Sequence, residues 1–98
     1  MAAIRERDIE RHLVKQVKEL GGEVRKVQWI GRRGAPDRLV MLPPEAYVDA
    51  AHCCIWVELK APGKKAEPHQ LREHERMRAM GQRVVVIDSI EGVEELLA

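Results

Sequence analysis

Eight residues constrain the fold of this chain more than any others: Cys53-Cys54-Ile55-Trp56-Val57-Glu58-Leu59-Lys60. An apolar run of this length, bounded by loop-forming sequence, reads as a buried strand. Successive strand side chains point to opposite faces. Cys53, Ile55, Val57 and Leu59 therefore share one face, and Cys54, Trp56, Glu58 and Lys60 share the other. A carboxylate and an ammonium then stand side by side at the end of a strand whose other residues favour the interior. Such a pair is either an ordinary ion pair at a strand terminus or the working end of an active site.

A strand buried on both sides needs strands beside it and helices over it, and the flanking sequence supplies both. Ile9, Leu13, Val17 and Leu20 recur at helical spacing, predicting a helix from about Arg5 to Leu20 that is closed by Gly21-Gly22. Residues 23–30 and 37–42 read as strands, separated by a Gly- and Pro-bearing loop, Gly31-Arg32-Arg33-Gly34-Ala35-Pro36. Residues 43–52 and 61–68 read as further loops. A second helix is predicted over 69–81, with Pro68 near its first turn and Gly81 as its stop. The run Val84-Val85-Val86-Ile87 predicts a fourth strand buried on both faces. Ser89 is placed to cap a terminal helix, Ile90 to Leu97. The order α-β-β-β-α-β-α predicts an α/β fold with a four-stranded mixed sheet and helices on both faces. With 98 residues and no repeat, low-complexity segment or linker, the whole of 1–98 reads as one domain with one core.

Composition excludes more than it assigns. The formal net charge is +1, so total charge makes no argument for nucleic acid. The cations are nevertheless clustered: Arg32 and Arg33 in one loop, Lys64 and Lys65 in another, and Arg72, Arg76 and Arg78 on the second helix. Such clusters are most simply solvated surface. Cys53 and Cys54 are adjacent in a strand and point apart, so they read as buried reduced thiols. That usage fits a cytosolic compartment. No stretch has the apolar length of a membrane span or the apolar core of a signal peptide, and the expectation is a soluble intracellular protein. His12, His52, His69 and His74 do not combine with the cysteines in any usual zinc framework. The Gly31–Gly34 loop lacks the Lys-Ser/Thr ending of a phosphate-binding loop, which argues against a nucleotide cofactor.

Three features can converge on one site. Asp37 opens the second strand directly after a proline turn, and Glu58 and Lys60 follow about twenty residues later. If these strands are neighbours, the three side chains meet. On the first helix, Glu10 lies roughly 45° from the centre of the apolar stripe and Glu6 closer still, one turn earlier. Carboxylates on an inward helix face are costly unless compensated, and a cation is the simplest compensation. Two or three carboxylates with a lysine suit Mg²⁺ or Mn²⁺, and such a site supports phosphodiester hydrolysis. Each residue also has a plainer reading: Glu58 and Lys60 as a surface ion pair, Asp37 as a turn residue, Glu6 and Glu10 as solvated edge residues. Trp56, on the Glu58 face, reads as a core anchor under a helix.

Pro36-Asp37 followed by Glu58-Leu59-Lys60 resembles the PD-(D/E)xK signature of restriction-endonuclease-like nucleases. The longer strings GRRGAPDRLVML, CIWVELKAPGKKAEPHQ and MGQRVVVID resemble the VRR-NUC (virus-type replication-repair nuclease) family, from Glu6 to about Asp88. The resemblance implies a restriction-endonuclease-like α/β/α core and a Mg²⁺- or Mn²⁺-dependent DNA endonuclease. It implies Asp37 and Glu58 as metal ligands, joined by the backbone carbonyl of Leu59, with Lys60 as the catalytic lysine. Gln70, opening the second helix, would orient active-site groups or water. Glu10 is taken as the helix glutamate nearer the metal, with Glu6 in support. Stand-alone domains of this kind resemble junction resolvases. That implies a homodimer acting on branched DNA in repair, with Arg32, Arg33, Lys64 and Lys65 as phosphate contacts. The implied location is cytoplasmic, or the host cytoplasm if phage-encoded. A nuclease acting on flaps or single strands, and a non-catalytic DNA-binding module of the same fold, are the alternatives.

Overall fold

The computed structural model describes residues 3–47 and 52–98. Helix α1 spans Glu6–Glu19, followed by strands β1 (Glu23–Lys26), β2 (Arg38–Met41) and β3 (Cys54–Leu59). Helix α2 (Pro68–Ala79), strand β4 (Val84–Ile87) and helix α3 (Ile90–Leu97) complete the chain. The element order is the one expected. The loop after β2 contains a 3-10 turn, Pro44–Ala46, and the rest of that expected loop, 48–51, lies outside the described residues. Ser89 caps α3 by accepting a hydrogen bond from the Gly92 amide at 2.9 Å.

The four strands lie in the order β1-β2-β3-β4. β1–β2 and β2–β3 are antiparallel, as short connections allow, and β3–β4 is parallel because α2 crosses over between them. Strand parity and register then sort the side chains into two unlike faces. Val40, Ile55, Val57, Leu59 and Ile87 join Ile9, Leu13 and Val17 of α1 and Val93 and Leu96 of α3 in one apolar cluster. The other face carries Leu39, Trp56, Glu58 and Val84, with α2 over part of it. The end of α1 sits hard against β2: a Cβ on Gly22 would lie 2.3 Å from the Met41 carbonyl oxygen, so only glycine fits there.

Several sequence expectations are corrected. β1 ends at Lys26 rather than Ile30, because the chain leaves the sheet to fold Trp29 over Trp56, their ring centroids 5.1 Å apart. Trp56 is therefore half-buried against another indole, with its Nε1 donating to Gln82 at 3.0 Å, rather than a fully enclosed anchor. β4 is an edge strand. Its Val84 and Ile87 are buried but Val86 is 38% exposed, opening into a groove that it lines with Lys64, Lys65 and Leu71. Leu20, past the last turn of α1, is also exposed. Cys53 is exposed and Cys54 half-buried, both free, because β3 enters the sheet only at Cys54. Among the described residues, no helix is long and apolar enough to cross a membrane.

Candidate active site

The antiparallel register of β2 and β3 pairs Arg38 with Val57. One step further along that register, Asp37 stands opposite Glu58, on the same face. Lys60, two residues beyond Glu58, returns to that face, and its amide donates to the Ile87 carbonyl at 2.9 Å, tying the strand end to β4. The side chain of Leu59 between them is 5% exposed and belongs to the core, which anchors the backbone from which Glu58 and Lys60 project the other way.

Asp37 is held by its backbone. Its carbonyl accepts from the Val27 amide at 2.9 Å, and the preceding Pro36 carbonyl accepts from the Trp29 indole at 2.7 Å. Gly34, with φ +88°, lets the loop touch the first turn of α2; a Cβ there would lie 2.8 Å from the His69 carbonyl oxygen. Arg32 fastens the same loop to α2, its Nε 2.9 Å from Glu73 Oε2, while Arg76 meets the other Glu73 oxygen at 2.7 Å. Glu73 is 3% exposed, and these two guanidiniums keep it ionised, below the usual carboxylate range.

Glu58 is 8% exposed. Burial raises its pKa to about 7, with the Lys60 charge opposing the shift and the Asp37 and Glu6 charges adding to it. Metal-free protein should therefore lose stability as pH rises from about 4.5 to about 7, because the folded state resists giving up this proton and the unfolded chain does not. Glu58→Gln is expected to remove that loss. Urea unfolding in EDTA at pH 5 and pH 8 would show the variant gaining on the wild type only at the higher pH, by roughly 1–3 kcal/mol once solvent screening at the strand end is allowed for. Equal pH dependence in the two proteins would refute it.

The two helix glutamates have different partners. Glu10, on α1, is engaged by Arg38: its Oε2 accepts from Arg38 Nε at 2.9 Å and also contacts Nη2. The register explains this, since Arg38 shares the Val57 face, opposite Asp37 and Glu58. Lys26 lies 3.9 Å from the other Glu10 oxygen. Arg38 reaches back with Nη1 to Asp37 Oδ2 at 3.0 Å, so Glu10 acts on Asp37 through Arg38. Glu6, one turn nearer the helix start, is the helix carboxylate whose charge acts on Glu58.

Gln70 is engaged as a helix-capping residue: its Oε1 accepts from the Glu67 amide at 2.8 Å. Arg33, Lys64 and Lys65 are exposed, the two lysines lining a groove of about 460 Å³ with Leu71, Val86 and Asp88. Two residues that sequence reasoning passed over matter here. Arg38 bridges the two sheet faces. His74 is fully buried on α2, its Nε2 3.7 Å from Glu58 Oε1. Burial and the Arg78 charge lower the His74 pKa, so the ring is neutral at pH 7. The signal for it was Met77: counting back by three, four and seven from that residue gives His74, Glu73 and Gln70, the inward stripe of α2.

Among the described residues, no three His, Cys, Asp or Glu side chains converge closely enough to hold a metal ion. Asp37 and Glu58 remain as a pair of hard oxygen donors, which fits Mg²⁺, an ion that takes one or two carboxylates and completes its shell with water and substrate oxygen. A carboxylate whose pKa burial raises to about 7 despite the nearby Lys60 charge is short of the compensation that a cation supplies.

No family model matches the sequence. A curated relative, "Putative nuclease p44" of Acyrthosiphon pisum secondary endosymbiont phage 1, is 51% identical over 89 residues, covering 91% of this chain and 88% of the relative. A solved structure described as a VRR-NUC domain superposes with a TM-score of 0.78 at 40% identity, covering 96% of this chain and 95% of its own. The chain belongs to the VRR-NUC family. The VRR-NUC fold is here the four-stranded mixed sheet with flanking helices.

Proposed function

We propose that this VRR-NUC domain is a Mg²⁺- or Mn²⁺-dependent, structure-specific DNA endonuclease that hydrolyses phosphodiester bonds in branched DNA, four-way junctions above all. The observation that carries the reading is the register that sets Asp37 against Glu58 with Lys60 on the same face at the strand end. The relative named as a nuclease supports it.

In this reading Asp37 and Glu58, with the Leu59 carbonyl, hold the cation. The chemistry a bound divalent ion supplies is Lewis-acid polarisation of the phosphate and acidification of water. Lys60 positions the attacking water, helps remove its proton and offsets charge that develops on the phosphate. Arg38 holds the Asp37 carboxylate from the side, and the Trp29 and Gly34 contacts fix the loop that carries it. Arg33, Lys64 and Lys65 contact phosphates without reading bases, which suits recognition of shape over sequence. A two-fold homodimer would present two such sites to opposite strands of a junction.

The test is cleavage of labelled four-way junction, flap and linear duplex DNA with Mg²⁺, Mn²⁺ or EDTA, alongside Asp37→Ala. Paired symmetric cuts in the junction, dependent on metal and absent in the variant, are expected. Cuts confined to flaps would retain the hydrolysis and discard the junction. Binding without cleavage under every metal condition would make this a DNA-binding module.

A further inference from the structure

We propose that His74 is the positioning residue of the metal site, supplying the N–H that orients the Glu58 carboxylate for cation binding. The inference rests on the metal-dependent reading above and concerns a residue outside the Asp-Glu-Lys motif.

His74 is enclosed entirely, at 0% exposure; the Gly34 backbone lies close enough to act on the ring, but among the described residues neither ring nitrogen meets hydrogen-bond geometry with any partner. A buried polar ring left in that state is costly, and an apolar side chain would pack there at less expense. The ring is not simply filling space in the core. It lies outside the apolar cluster of α1, α3 and the opposite sheet face, and its Nε2 is directed at Glu58 Oε1 from 3.7 Å. That gap is a few tenths of an ångström beyond a hydrogen bond, within the reach of a small rotation of the Glu58 side chain.

The surroundings favour one role. Glu58 has two oxygens; when one faces a cation at the strand end, the other turns inward, where water is excluded and His74 is the donor at hand. Carboxylates that bind metals are commonly held by hydrogen bonds of this kind, and losing the partner weakens metal binding tenfold to a hundredfold. His74 also lies one turn beyond His69 and Gln70, the residues against which Gly34 is packed, and the Gly34 backbone acts on the ring. One side chain thus sits between the loop that carries Asp37 and the strand that carries Glu58. A shift of α2 would alter both donors together.

The experiment is Mn²⁺ binding without DNA, by calorimetric titration at pH 8, for the wild type, Asp37→Ala, His74→Leu, His74→Met and His74→Gln. Thermal melts in EDTA would establish that each is folded. His74→Leu and His74→Met are expected to melt no lower than the wild type in EDTA, yet bind Mn²⁺ about 10- to 100-fold more weakly. His74→Gln, which keeps an N–H donor, should recover part of that loss, and excess Mn²⁺ should restore cleavage. Either folded apolar variant binding Mn²⁺ as the wild type does would overturn the role of His74 while leaving the metal reading intact. A wild type that binds no Mn²⁺, or binds it equally well without the Asp37 carboxylate, would overturn the metal reading and this inference with it.

Discussion

Lys60→Ala is expected to slow phosphodiester cleavage by about 10²- to 10⁴-fold, the range usual for loss of a positioned acid-base group. The fold should survive, because Lys60 is half-exposed and its anchoring contact, the amide to the Ile87 carbonyl, belongs to the backbone. The Lys60 charge lowers the Glu58 pKa, so the variant should also need higher pH to reach its residual rate. Lys60→Arg separates the two roles: it keeps the charge but cannot give up a proton near neutral pH. If Arg recovers the full rate, the residue acts through charge alone. If Lys60→Ala cleaves as fast as the wild type, the assignment of Lys60 fails. Single-turnover rates at several pH values would decide between these outcomes.

Gly34→Ala is expected to be the most damaging small substitution near the site. Two penalties coincide there: a φ of +88° that alanine tolerates poorly, and a 2.8 Å approach of the new methyl group to the His69 backbone carbonyl. Neither neighbour is a flexible side chain end that can swing away. A loss of roughly 2–4 kcal/mol follows, equivalent to a fall in Tm on the order of 10–20 °C for a domain of this size. The loop would relieve the clash by lifting from α2, carrying Asp37 away from Glu58, so cleavage should fall even well below the new Tm. A melting temperature within a few degrees of the wild type would show that the loop has more room than its packing indicates.

Much of this arrangement was legible beforehand because β3 carries its own instructions. A period of two places Glu58 and Lys60 on one face whatever their neighbours do, and the punctuation by glycine and proline separates the remaining elements. The pairing of Asp37 with Glu58 was only conditional, since register depends on which strands meet. The choice between Glu10 and Glu6 turns on something that helical spacing does not report. An angular projection reports which side of a helix a residue occupies and nothing about its height, and the two residues differ by a full turn of about 5.4 Å along the axis. Glu10 does face the sheet, but it faces the side that holds Arg38. The run Val84–Ile87 misled similarly: an apolar stretch records what a strand can tolerate, and an edge position left Val86 uncovered. His74 was missed because a search for apolar periodicity skips the polar members of a stripe, and α2 turns a glutamate and a histidine inward.

The unequal covering of the sheet has a consequence for how this protein can change. α1 and α3 are cemented to one face by a continuous apolar cluster, whereas Met77 is the only buried hydrophobic residue of α2, whose other buried members are Glu73 and His74. Substitutions on α1 are therefore filtered by whether the chain folds at all, and substitutions on α2 by whether the chain still works. The scaffold and the chemistry are written on opposite sides of one sheet. Away from the tight Gly34 contact, change on the α2 side therefore bears first on the site and only then on the core.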